Sequence, residues 1–286
     1  MANSQGSVKV ACAQIEPQIG ERSYNLATIE AWTRRAAEWE ANIVVFPELA
    51  NSGYVFESKE EAYSLSESAG DGPTVNRLRE ISRELDIMIV CGLNERDGDK
   101  LYNSAVLVDG EEAPAVYRKV HLWDYENEIF TPGNLGIPVF DTRFGRISML
   151  ICYDCWFPES FRSCALNGAD LICVPTNWVP IPGQRADQEA MANILIKGAA
   201  HSNSIFIAAA DRVGVERSQK FIGQSLIASY TGWPVGGPAS ETAQELIIAA
   251  LPLEAAKKAR FWGKYNHVLN DRRSDQYTLG ICHEAW

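Results

Sequence analysis

The sequence predicts an α/β fold, one domain of layered sheets with helices outside. Three observations carry this reading. Short apolar runs alternate with longer stretches of helical spacing along the chain. No Pro/Gly/Ser-rich stretch separates two self-sufficient halves, and no segment repeats. The composition, 46% hydrophobic and 22% charged over 286 residues, belongs to a globular chain able to bury a sizeable core.

Val8–Gln14 (VKVACAQ) alternates apolar and polar side chains and reads as a strand. Tyr24–Asn42 has helical spacing, with Leu26, Ile29, Trp32, Ala36 and Trp39 on one face. Asn42–Phe46 is short and nearly all apolar, as a strand covered on both faces would be. A helix follows over Pro73–Leu85, then strands over Ile87–Leu93 and Asn103–Asp109, joined by a hairpin turn at Asp97–Lys100. A strand near Val116 and apolar runs at Arg146–Tyr153, Leu171–Pro175, Ile205–Asp211 and Leu226–Ser229 supply further strands. Helices are expected over Glu159–Asn167, stopped by Gly168, and over Arg185–Ser202. Gly232–Gly237 reads as a turn before a polar hairpin. From about Arg260 to Trp286 there is little periodicity, which suits an arm on a partner subunit or a plain surface coil.

The 26 basic and 37 acidic residues leave a net charge of −11, which argues against a broad nucleic-acid or anionic-membrane footprint. No apolar run approaches the roughly 18 residues of a membrane span. The first residues carry no basic or apolar signal segment, so a soluble, cytoplasmic protein is expected. Seven cysteines, an odd number mostly inside apolar runs, suit reduced thiols rather than a disulfide framework. Eight tryptophans are generous and point to aromatic pocket walls.

Open α/β sheets present their sites at the carboxyl ends of strands. Three such ends carry reactive groups: Glu48 after Pro47, Lys119 after Arg118, and Cys152 after Ile151. Each taken singly has a bland reading: a helix-capping or loop carboxylate, a surface ammonium, a small buried hydrophobe. Brought together, they would form an acyl-transfer set without histidine. Glu48 would take the thiol proton and Lys119 would hold the charge on a carbonyl oxygen under attack.

The residues around these three resemble the nitrilase superfamily of carbon–nitrogen hydrolases. Three blocks carry the resemblance: Val44-Val45-Phe46-Pro47-Glu48-Leu49, Tyr117-Arg118-Lys119-Val120-His121-Leu122, and Leu150-Ile151-Cys152-Tyr153-Asp154. Their order and gaps resemble the family's, as do Pro175-Thr176-Asn177-Trp178, Asp211-Arg212-Val213-Gly214 and the arm around Asn270-Asp271-Arg272-Arg273. The resemblance implies a four-layer αββα sandwich over 1–286, stacking to αββααββα in a homodimer or higher homo-oligomer, with no metal and no cofactor. It implies Cys152 as nucleophile, Glu48 as general base, and Lys119 with the Tyr153 backbone N–H as oxyanion donors. It also implies Glu126 as a second glutamate that positions lysine and substrate.

Tyr54, Asn177 and Trp178 are expected to wall the substrate pocket. His121 is expected to be structural, and Asp154, Glu159 and Arg162 to support the turn at Cys152. Cys152 and Cys155 form a C-x-x-C, but a zinc site needs two more ligands and the redox context is missing. One departure stands out: Ala199-Ala200-His201-Ser202-Asn203 lacks the arginine and glutamate of the family's Arg-Ala-x-Glu-Asn. The leading expectation is hydrolysis of a small-molecule aliphatic amide to acid and ammonia. The alternative is an N-carbamoyl amidohydrolase releasing carbon dioxide and ammonia, with Arg185 as a candidate partner for a substrate carboxylate. A nitrilase ranks third, because tyrosine rather than tryptophan follows Cys152. A non-catalytic scaffold has no reason to keep Glu48, Lys119 and Cys152 together.

Overall fold

The computed structural model describes residues 6–277, except 111, 186 and 187. In chain order the first half holds β1 (Val8–Gln14), α1 (Arg22–Glu38), β2 (Ile43–Val45), α2 (Lys59–Ser64), α3 (Pro73–Leu85), β3 (Met88–Asp97), β4 (Lys100–Val108) and β5 (Ala115–Arg118). Then come α4 (Glu126–Ile129), β6 (Val139–Thr142), β7 (Gly145–Met149), α5 (Pro158–Leu166), β8 (Leu171–Pro175), α6 (Met191–Asn203) and β9 (Phe206–Ala210). The remainder is β10 (Val215–Glu216), β11 (Gln219–Lys220), β12 (Leu226–Ala228), β13 (Pro234–Gly236), β14 (Glu245–Leu251) and α7 (Leu253–Lys258).

Two six-stranded mixed sheets form, in orders β14-β1-β2-β3-β4-β5 and β13-β12-β9-β8-β7-β6. In each, three central strands run parallel and the flanking pairs are antiparallel. The central strands are buried on both faces, which is why they read as unbroken apolar runs. Alternation along β1 and β2 splits the core. Val10, Cys12, Ile43 and Val45 pack with the second sheet, whereas Ala11, Ala13 and Val44 pack under α1 and α3 through Ile29, Val75 and Leu78. Phe161 and Cys164 of α5 and Ile196 and Ala200 of α6 close the far side. This is the expected four-layer αββα sandwich.

Several expected boundaries move, each for a local reason. Helix α1 stops at Glu38 rather than Asn42, because Glu40 turns left-handed at φ 58 and the Ala41 N–H closes on Ala36 O. Its buried stripe is Asn25, Ile29, Thr33 and Ala36, leaving Trp39 63% exposed. Asn25 can be buried because its amide bridges Gln18 and Asn51, and Thr33 because it bonds back to Ile29 O. Helix α6 starts at Met191, not Arg185; upstream of it the Gln184 N–H donates to Ile181 O and the Gln188 N–H to Arg185 O, with 186 and 187 outside the described residues. The expected turn at 232–237 contains edge strand β13, and β14, unread in the sequence, pairs with all of β1. Of the expected arm, residues 260–277 follow α7 and Arg260 donates to Ala169 O, while 278–286 lie outside the described residues. Six cysteines among the described residues are buried and unpaired.

Candidate active site

The site forms where the two sheets end side by side. Glu48 leaves β2 through Pro47, and its N–H points to Thr176 O beyond β8 at 3.4 Å. Asn177 Nδ2 donates to Glu48 O at 2.9 Å, tying the sheets together again. Strand β3 passes beneath this turn at Gly92. A Cβ there would lie 2.3 Å from the Leu49 nitrogen and 2.5 Å from Glu48 Cα, so only glycine allows the approach.

Lys119 directly follows β5 and is wholly enclosed. Its Nζ lies 2.6 Å from Glu48 Oε1 and 2.7 Å from Glu126 Oε1, at the start of α4. Asn103 Nδ2 also donates to Glu48 Oε1, at 2.6 Å. Glu126 accepts in addition from the Tyr54 hydroxyl at 2.7 Å and the Trp123 N–H at 3.2 Å. Glu48 Oε2 is buried with no hydrogen-bond partner among the described residues. That oxygen is therefore available to take a proton.

Burial lifts Glu48 to about 7; Lys119 opposes the rise and Glu126 adds to it. Burial works against the Lys119 ammonium, but Glu126, Glu48 and Cys152 outweigh it and hold the lysine above its usual range. Burial also pushes the Cys152 thiol well up, helped by Glu48 and opposed by Lys119. Resting Cys152 is thus a thiol beside a carboxylate that can take its proton.

Cys152 opens a 3-10 turn over Cys152–Trp156, at φ 43. A non-glycine residue in this region costs on the order of 1–3 kcal/mol and must be held by its surroundings. Asp154 does the holding: its Oδ2 accepts from the Ile151 N–H and the Tyr117 hydroxyl, its Oδ1 from the His121 N–H. His121 Nδ1 lies 2.8 Å from the same Oδ1, and the ring stacks on Phe157 at 3.7 Å. Glu159 and Arg162 were expected in this support but do not join it. They face an outer cavity of about 720 Å³ with Arg272 and Tyr277, and Arg162 donates to Ser202 O. Their place in α5, one turn or more beyond the strained residue, carries them away from it.

Cys152 lines a cavity of about 20 Å³ with Trp123, Tyr153, Trp156, Asn177, Trp178, Val179 and Ile181. No charged side chain is among them. The structure thus puts Asn177 and Trp178 at the cavity. Tyr54 is not among its lining residues, but its hydroxyl sits on Glu126 Oε1; burial raises that phenol, and the charges of Glu126, Glu48 and Cys152 add to the rise. Arg185 lines a separate cavity with Lys220 and Glu241. Sequence reasoning passed over Asn103, Trp123 and Trp156. Asn103 left one trace, a polar residue opening an otherwise apolar run.

A family model described as carbon-nitrogen hydrolase matches residues 9–261, and the chain belongs to that family. It is an enzyme of the class that hydrolyses carbon–nitrogen bonds. A protein named nitrilase from Pyrococcus abyssi is 40% identical over 270 residues, 94% of this chain and 99% of that one. The N-carbamoylputrescine amidase of Solanum lycopersicum is 31% identical, covering 98% of this chain and 96% of its own. The amidase of Nesterenkonia sp. AN1 superimposes with a TM-score of 0.77 at 28% identity, over 94% of this chain and 97% of that one; in that structure acrylamide has added to the active-site cysteine.

Proposed function

We propose that this enzyme hydrolyses a small, neutral aliphatic amide to the carboxylic acid and ammonia through a thioester on Cys152. The observation that carries the reading is the buried Glu48–Lys119–Glu126 chain beside a thiol that opens into an uncharged, aromatic-walled cavity.

The thiol proton passes to Glu48 Oε2 as sulfur attacks the amide carbon, forming the S–C bond. The carbonyl oxygen becomes an oxyanion facing Lys119 Nζ and the Tyr153 N–H, a first-turn donor with no partner inside its own helix. Glu48 returns the proton to the leaving nitrogen, the C–N bond breaks and ammonia departs. Glu48 then takes a proton from water, whose oxygen attacks the thioester; the S–C bond breaks and Cys152 regains its proton. Glu126 holds Lys119 from the far side, so the ammonium stays charged throughout.

The cavity lining favours a short, uncharged acyl group. A ureido acid would ask for a further cation and a carbamoylated diamine for a further anion, and beyond the Glu48–Lys119–Glu126 chain the lining offers neither. The relatives named for ureido and nitrile substrates make these the two arms of the test. Propionamide, N-propylurea and propionitrile would be offered to the purified enzyme. Ammonia from propionamide without carbon dioxide from propylurea supports the amide reading. Faster carbon dioxide release from propylurea would overturn it in favour of a carbamoyl hydrolase.

A further inference from the structure

Glu216 is a buried carboxylate to which the reaction above gives no task. It lies on β10, and its Oε1 pairs with Arg212 Nη1 at 2.8 Å, both side chains being almost fully enclosed. Its Oε2 accepts two backbone N–H groups of a distant loop, Tyr54 at 2.8 Å and Val55 at 2.6 Å. Arg212 is itself fixed. It donates to Pro17 O at 2.7 Å, and its guanidinium lies 4.2 Å over the Phe221 ring. Phe221 in turn meets the Tyr54 ring edge-on at 5.9 Å. Gly53 leaves no slack: a Cβ there would fall 2.5 Å from Ile19 Cα and 3.0 Å from Glu216 Oε1.

Tyr54 is therefore gripped by its backbone and its ring, and its hydroxyl reaches Glu126 Oε1, the oxygen that also holds Lys119. We infer that Glu216 is a positioning residue: it sets Tyr54 so that the phenol keeps Glu126 against Lys119. The inference rests on the proposed chemistry of Glu48, Lys119 and Cys152. A carboxylate suits the task because one oxygen can pair with arginine while the other accepts two N–H groups. An amide in its place must turn its NH2 either toward Arg212 or toward the two N–H donors, and loses one side of the grip.

The test compares wild type, Tyr54→Phe, Glu216→Gln and the double variant by two readouts. One is kcat and KM for propionamide; the other is the rate at which acrylamide alkylates Cys152, followed by peptide mass spectrometry. Each single variant is expected to lower kcat and the alkylation rate by about 10–100-fold with KM changed less than about threefold, since a hydrogen bond to a charged group is lost or the site misplaced. The double variant is expected to fall no more than about threefold below the lower single, because both changes act through one phenol. Losses that multiply in the double variant, or a folded Glu216→Gln with wild-type alkylation and kcat, would overturn the inference. If Glu216→Gln does not fold, Glu216→Asp takes its place: it keeps the charge against Arg212 but is one methylene too short for both N–H groups, and the same outcomes decide. A wild type that is alkylated at Cys152 yet releases no ammonia from propionamide would fault the substrate reading instead, and the alkylation rates would still decide for or against Glu216.

Discussion

The acid limb of the pH–rate profile follows from the environment of Glu48. Burial raises its carboxyl to about 7, with Lys119 opposing and Glu126 adding. Only the carboxylate can accept the thiol proton, so kcat/KM should rise with pH and level off above about 7. Each unit below the midpoint costs tenfold, and at pH 5 the rate should stand roughly 100-fold below the plateau. Lys119 cannot produce this limb, since its carboxylate partners keep it protonated far above that range. Ammonia release from propionamide, measured from pH 5 to 9, gives the profile. Glu126→Gln removes a charge that raises Glu48, so the limb should move to lower pH. A midpoint near the ordinary glutamate value of about 4.3 would refute the reasoning, as would a shift to higher pH in Glu126→Gln.

Lys119→Met leaves Glu48 and Glu126 facing each other without their shared cation. Urea unfolding should show a loss of about 3–5 kcal/mol, and ammonia release should fall at least about 100-fold. Asp154→Asn offers one acceptor oxygen where Ile151, Tyr117 and His121 now share two. It should cost about 2–3 kcal/mol by the same assay and lower the rate as the Cys152 turn loosens. Gly92→Ala forces a methyl group against the Glu48 backbone, and steady-state kinetics should show about a 100-fold loss of kcat. Trp156→Ala widens the cavity at Cys152, so the kcat/KM ratio of hexanamide to propionamide should rise.

What the sequence disclosed depended on how local the cause was. Strands β1 and β8 and helix α3 have the bounds their patterns predict, because alternation, an apolar run and a proline at the helix start are written within each segment. Helix α1 was misjudged because its inner face holds Asn25 and Thr33, whose burial depends on partners that spacing does not reveal. Strand β14 owes its place to β1, more than 200 residues away in the chain. Glu48, Lys119 and Cys152, the residues proposed to react, were legible because each follows a strand end within a recognisable block. Asn103, Trp123 and Glu216 were not, since only the closed sandwich brings Asn103 to Glu48, Trp123 to the Cys152 cavity and Glu216 to the loop at Tyr54.

The central claim is that Cys152 attacks the amide carbon. It is tested most directly by ammonia release from propionamide with folded Cys152→Ala beside wild type. The mechanism predicts a fall of at least about a thousandfold, because it forms the acyl-enzyme on the Cys152 sulfur alone. A rate within tenfold of wild type would contradict it.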